Sequence, residues 1–156
     1  MPFIKSDGGR AAAGYKGSAR DCGVRAAALV TGADYRDTYA ALFDRQRAFK
    51  AASKKKCVIS RSASPRNGVW HMVMHQHMAD AGAQWIALAE IGGDVVRVRD
   101  VSERWPVGRI MIRLARHYSA IIDGVNYDTW EQHPEKRVYG AWIMPLCVSK
   151  IKAKNR

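Results

Sequence analysis

Residues 117–130, HYSAIIDGVNYDTW, leave the chain few choices. An Asp-Gly pair between two β-prone runs predicts a two-residue hairpin turn at Asp123-Gly124. With that loop, Ile122 pairs with Val125, His117 faces Trp130 and Ser119 faces Asp128. Side chains alternate between the faces of a strand, so positions 117, 119, 128 and 130 share one face. His117 and Asp128 become diagonal neighbours on it, within reach of planar or long side chains. A carboxylate there can hold an imidazole by one ring nitrogen and leave the other for a nucleophile. Asn126 shares the face but lies nearer the turn, and Asp123 lies in the turn itself, so Asp128 is the better-placed acid. The plainer reading is a histidine bonded to a nearby acid for structural reasons.

Upstream the period is helical. In DCGVRAAALVTG (21–32), Asp21 is a good N-cap, the alanines favour helix and Gly32 is a stop. Asp34 caps a second helix carrying Tyr35, Tyr39, Leu42, Phe43, Gln46 and Phe49 at spacings of three to four. A basic connector and the turn-prone SASPRNG (62–68) follow. A third helix spans roughly Val69 to Ala81, with Trp70, Val73, Met74, Met78 and Ala81 on one face. Beyond Gly82 the period falls to two. Strands are expected at Ala83–Ala89, Val95–Val101 and Arg109–Leu114, then in the hairpin, and near Arg137–Ile143. Helices first and antiparallel strands afterwards give an α+β domain over 21–146. Residues 1–20, rich in Gly, Ala, Ser and basic residues, read as a flexible basic arm, and 147–156 as a basic tail.

Cys22 falls at the first turn of the first helix, where free N–H groups and the macrodipole favour a thiolate. Its own N–H is also free to donate to an oxyanion. Small buried cysteines at helix starts are common, so position alone decides little. With His117 and Asp128, however, Cys22 completes a nucleophile, a base and an orienting acid.

The order Cys on a helix, His on a strand, Asp on the next strand resembles that of papain-like cysteine peptidases. More closely, the chain is similar to small papain-like-fold proteins of tailed bacteriophages and bacteria. The segments are DCGVRAAALVTGADY (21–35), SPRNGV (64–69), MADAGAQW (78–85), GRIMIRLARHYSAIIDGVNYDTW (108–130) and RVYGAW (137–142). The resemblance implies a papain-like fold, with the nucleophile helix first and the helices packed on a C-terminal antiparallel sheet. It implies a Cys22-His117-Asp128 hydrolase, peptidase or isopeptidase, without cofactor, acting on a protein or peptide in a host cytoplasm or a virion. One departure stands out. Papain-like enzymes place a glutamine shortly before the nucleophile as an oxyanion donor, whereas residues 15–20 read YKGSAR. Ser18, Lys16 or a backbone N–H could substitute, Ser18 being the first candidate, and Gly23 leaves room for a carbonyl to approach.

Charge carries the second reading. The chain has 26 Lys and Arg against 14 Asp and Glu, a net +12. Eight basic and no acidic residues lie between Arg45 and Arg66. Lys54, Lys55, Lys56, Arg61, Arg66, Lys150, Lys152 and Lys154 are the expected polyanion contacts, although a solvated surface explains such runs equally well. The alternative function is therefore a weak or inactive papain-like-fold virion protein, contacting DNA, other virion proteins or a host protein. No apolar run is long enough to span a membrane, and the N-terminus has no apolar signal core. Cys22, Cys57 and Cys147 are too scattered for a disulfide scaffold. His71, His75 and His77 lack an acidic or cysteine partner at helical spacing, so they read as a solvated face and no metal is expected. Trp70, Trp85, Trp105, Trp130 and Trp142 read as core, with Trp130 also placed to shield the His117–Asp128 pair.

Overall fold

Local capping sets the helices. In the computed structural model, which describes residues 1–88 and 95–145, α1 (Cys22–Thr31) stops where Gly32 turns left-handed at φ 73°. Its N–H returns to the Ala28 carbonyl at 2.9 Å. α2 (Tyr35–Ala52) starts on the Asp34 carboxylate, which accepts from the Arg36 and Asp37 N–H groups. α3 (Lys56–Ile59) is one turn within the basic connector, and a 3₁₀ turn at Pro65–Asn67 leads to α4 (His71–Asp80). Val73, Met74 and Met78 form the buried face of α4, at the helical spacing the sequence shows.

Asp21 does not cap α1. It is buried, accepts from the Tyr35 hydroxyl at 2.6 Å, and pairs with Arg10 at 2.8 Å and Arg25 at 3.2 Å. Three partners occupy both oxygens, so the carboxylate makes no bond to the first-turn N–H groups of α1. Burial, together with the bond to this carboxylate, pushes the Tyr35 hydroxyl pKa up.

Six strands form one sheet: β1 (Phe3–Lys5), β2 (Gln84–Ala87), β3 (Arg109–Leu114), β4 (His117–Ile122), β5 (Val125–Asp128) and β6 (Gly140–Ile143). Their order is β1-β5-β4-β3-β6-β2. The protein is α+β, and its sheet is mixed, because β1 runs parallel to β5 with Phe3 opposite Asn126 and Lys5 opposite Asp128. The expected flexible arm therefore adds a strand to the sheet. Residues 8–14 follow it as turns packed on α1: a Cβ on Gly8 (φ 64°) would sit 2.9 Å from the Arg25 backbone. The tail at 147–156, with Cys147, Lys150, Lys152 and Lys154, lies outside the described residues.

The hairpin takes the register expected. Ile122 faces Val125, Ile121 faces Asn126 and Ala120 faces Tyr127, with Asp123 and Gly124 both at positive φ. A second two-residue turn joins β3 to β4 through Ala115 and Arg116, and Arg116 is left-handed at φ 58°. The strand expected at Val95–Val101 is instead a 3₁₀ turn at Val98–Asp100 running into α5 (Val101–Arg104). The Asp100 carboxylate takes the Arg97 N–H at 2.8 Å and folds the chain back, leaving Arg97 a single bridge to Arg137. Val96, Val98 and Val101 are buried all the same, so the alternation reported burial without reporting a strand. At the other end of this stretch, the strand expected to reach Ala89 is described as far as Ala87.

Both faces of the sheet are covered. Met111, Ala120 and Trp142 meet α1, α2 and α4 through Val24, Ala27, Leu42, Met74 and Met78. Ile110, Ile112, Leu114 and Ile121 meet Val98, Val101 and Val138 on the other side. Fully burying side chains of this size stabilises by about 1.5–3 kcal/mol each, an upper bound per residue. Gly140 is the tightest point of the sheet. A Cβ there would collide with the Trp85 ring and lie 2.9 Å from the Ile86 carbonyl. Among the described residues no helix is long and apolar enough to cross a membrane.

Candidate active site

Three element ends meet at one edge of the helix–sheet interface. Cys22 is the first residue of α1, His117 the first of β4 and Asp128 the last of β5. The Cys22 side chain and the Asp128 carboxylate both lie close enough to the His117 imidazole to raise its pKa. Nε2 of His117 lies 2.7 Å from Oδ2 of Asp128.

Asp128 is held from several sides. The Ser119 hydroxyl donates to Oδ2 at 2.7 Å, the Gln132 amide to the same oxygen at 3.1 Å, and the Thr129 N–H to Oδ1 at 2.7 Å. Asn126 donates to the Ser119 oxygen at 2.7 Å, which aims the serine proton at Asp128. Burial disfavours charge on His117, yet Asp128 and Cys22 outweigh it and raise its pKa from 6.5 to about 9. Burial likewise disfavours the Asp128 carboxylate, but bonds from His117 and Ser119 win and hold its pKa below the usual value. The Trp130 ring stands 4.9 Å from the imidazole, centroid to centroid, and covers it. Trp130 is itself 51% exposed, so it is a lid on the pair and not a core residue.

Cys22, His117 and Trp130 open on a cleft of about 820 Å³, with Val69, Trp70 and Tyr118 supplying apolar wall. Ser18, the expected oxyanion donor, does not line it. Ser18 lines adjoining grooves, and its carbonyl accepts from the Arg66 guanidinium at 2.9 Å. Asn67 does line the cleft, brought there by the 2.8 Å bond from the Arg20 N–H to the Arg66 carbonyl. Gly23 serves packing and does not clear a path for a carbonyl: a Cβ there would meet Met74 Cε at 2.8 Å and Tyr118 at 3.3 Å. Sequence reading missed Asn67 and Gln132. Neither carries a local signal, since Asn67 ends a 3₁₀ turn and Gln132 sits in the loop after β5, and only folding brings both to the site.

The remaining candidates scatter. Arg61 reaches the cleft with its guanidinium 5.4 Å from the Trp70 ring centroid, and Arg66 lines an adjoining groove. Lys54, Lys55 and Lys56 are exposed on the connector, as is Cys57. His71 and His75 pack among Trp85 and Trp142 with centroids 5.4–6.2 Å apart, an aromatic cluster in place of the solvated face expected. Burial lowers the His71 pKa accordingly. Among the described residues no three His, Cys, Asp or Glu side chains are grouped to hold a metal ion. No family model, curated protein or solved structure matches this chain.

Proposed function

We propose that this chain is a papain-like cysteine hydrolase, a peptidase or isopeptidase, working through Cys22, His117 and Asp128. One observation carries the reading: a helix-start thiol and a buried carboxylate flank a single imidazole at the mouth of a cleft.

His117 takes the Cys22 thiol proton, and the sulfur attacks an acyl carbon. As the carbon–nitrogen bond breaks, the imidazolium returns its proton to the departing amine. Water then attacks the thioester, giving a proton to His117 and releasing the acid and the thiol. Asp128 fixes the ring and stabilises its charged form, which the raised pKa reflects. The Cys22 N–H lies in the first turn of α1, which Asp21 leaves uncapped, and serves as one oxyanion donor. The Asn67 carboxamide serves as the other.

Iodoacetamide labelling at neutral pH, read site by site by mass spectrometry, tests the nucleophile. Cys22 reacts faster than Cys57 and Cys147. Equal rates, or Cys22 the slowest, would end the enzymatic reading. Replacing Cys22 by Ser abolishes peptide hydrolysis, and Asn67→Ala lowers kcat by about 10²–10³, the usual cost of one oxyanion donor.

A further inference from the structure

We propose that the cleft selects acidic peptide segments, with carboxylates flanking the acyl group that Cys22 attacks; the inference rests on the hydrolase reading. Arg20, Arg61, Arg113, Arg116 and Lys136 line the same cleft as Cys22 and His117. None of the five has a carboxylate within 4.0 Å among the described residues. The cleft lining contains no Asp or Glu.

The acids that adjoin the cleft lining do not join it, and Glu131, beside Trp130, lines a separate groove with Gln132 and Pro134. Asp21 is buried between Arg10 and Arg25, and Asp128 faces His117 and Ser119. Glu135 pairs with Arg97 and Arg99. A cleft walled by low-dielectric protein and lined by one sign of charge concentrates ligands of the other sign.

This is not a by-product of the net charge. The five cations come from the stretch before Cys22, the α3–α4 connector, β3, the β3–β4 turn and the loop after β5. They converge from five places, whereas the lysine run at 54–56 does not line the cleft. Two of them are held in place: Arg61 lies over Trp70, and Lys136 donates to the Gln132 amide oxygen at 3.1 Å. At the rim the chain accepts a left-handed backbone at Arg116. A nucleic acid would also answer the charge, but its backbone offers no acyl carbon to a thiol. The apolar wall of Val69, Trp70 and Tyr118 suits peptide side chains.

The test compares alkylation of Cys22 by anionic iodoacetate and neutral iodoacetamide in the full chain, with N-acetylcysteine amide as reference thiol. The iodoacetate-to-iodoacetamide rate ratio at Cys22 exceeds the reference ratio about tenfold at low salt, and the excess falls several-fold at high salt as screening sets in. Arg113→Gln and Arg116→Gly each reduce it, and glycine at 116 keeps the backbone that φ 58° requires. Of paired peptide substrates, the one with Glu flanking the scissile bond has a kcat/KM about tenfold above the one with Lys. A Cys22 ratio equal to the reference overturns the inference while leaving the nucleophile standing. Cys22 inert to both reagents overturns the hydrolase reading itself. A single-stranded oligonucleotide that protects Cys22 better than a poly-glutamate peptide overturns the choice of peptide over nucleic acid.

Discussion

Replacing Asp128 by Asn removes the charge that holds His117 and changes little else in volume. The carboxylate receives His117, Ser119 and Gln132 on one oxygen and the Thr129 N–H on the other. An asparagine cannot satisfy both sides. Its NH₂ group faces either the Thr129 N–H or the three donors opposite, and such a mismatch costs about 1–3 kcal/mol. The charge adds a part that depends on pH. A histidine whose pKa rises on folding adds stability that is complete below its unfolded value of 6.5 and lost as pH climbs through about 9. That interval, at about 1.4 kcal/mol per tenfold, limits the contribution to about 3 kcal/mol, of which Cys22 supplies a share. The lowered pKa of Asp128 expresses the same attraction from the acid's side, present above about pH 4 and lost on further acidification, so it is not added again. Urea unfolding followed by tryptophan fluorescence is the assay. The wild type exceeds the variant most at about pH 5–6.5, and the gap narrows toward the mismatch cost alone by about pH 9.5. In the variant the His117 resonances titrate well below about 9, since the largest opposing contribution to burial is gone. A gap that ignores pH or widens above neutrality would refute the account, as would an unshifted His117.

Asp21→Ala leaves two arginines and a tyrosine hydroxyl without their shared carboxylate, and costs about 3–5 kcal/mol by urea unfolding. Unchanged stability would show that the buried cluster contributes nothing. Gly140→Ala drives a methyl into the Trp85 ring and lowers stability by about 1–3 kcal/mol; thermal unfolding at the wild-type temperature would contradict the close approach. Arg116→Gly relieves a left-handed non-glycine residue worth about 1–2 kcal/mol, so it melts no lower than the wild type in the same scan, and a clear drop would count against that strain.

The part of the site that contiguous residues encode was legible before folding. Asp123-Gly124 dictates the hairpin register, and the register alone sets His117 beside Asp128. Gly32 and Asp34 likewise mark where α1 ends and α2 begins. Asp21 misled because a cap is a local option that buried guanidinium groups can outcompete. Val95–Val101 misled because alternating burial does not distinguish a strand from a turn laid over the sheet.

Turn dihedrals and side-chain periodicity are properties of neighbouring residues, so the amino-acid order by itself determined α1, α2 and α4, the hairpin and which acid the histidine meets. Tertiary structure alone decided that Phe3–Lys5 closes one edge of the sheet, that Asn67 and Gln132 reach the site, and that cations from five segments line one cleft. Those arrangements depend on which strand edge is left open and which side chains are left unpaired once everything else has packed. No stretch of sequence carries that information by itself.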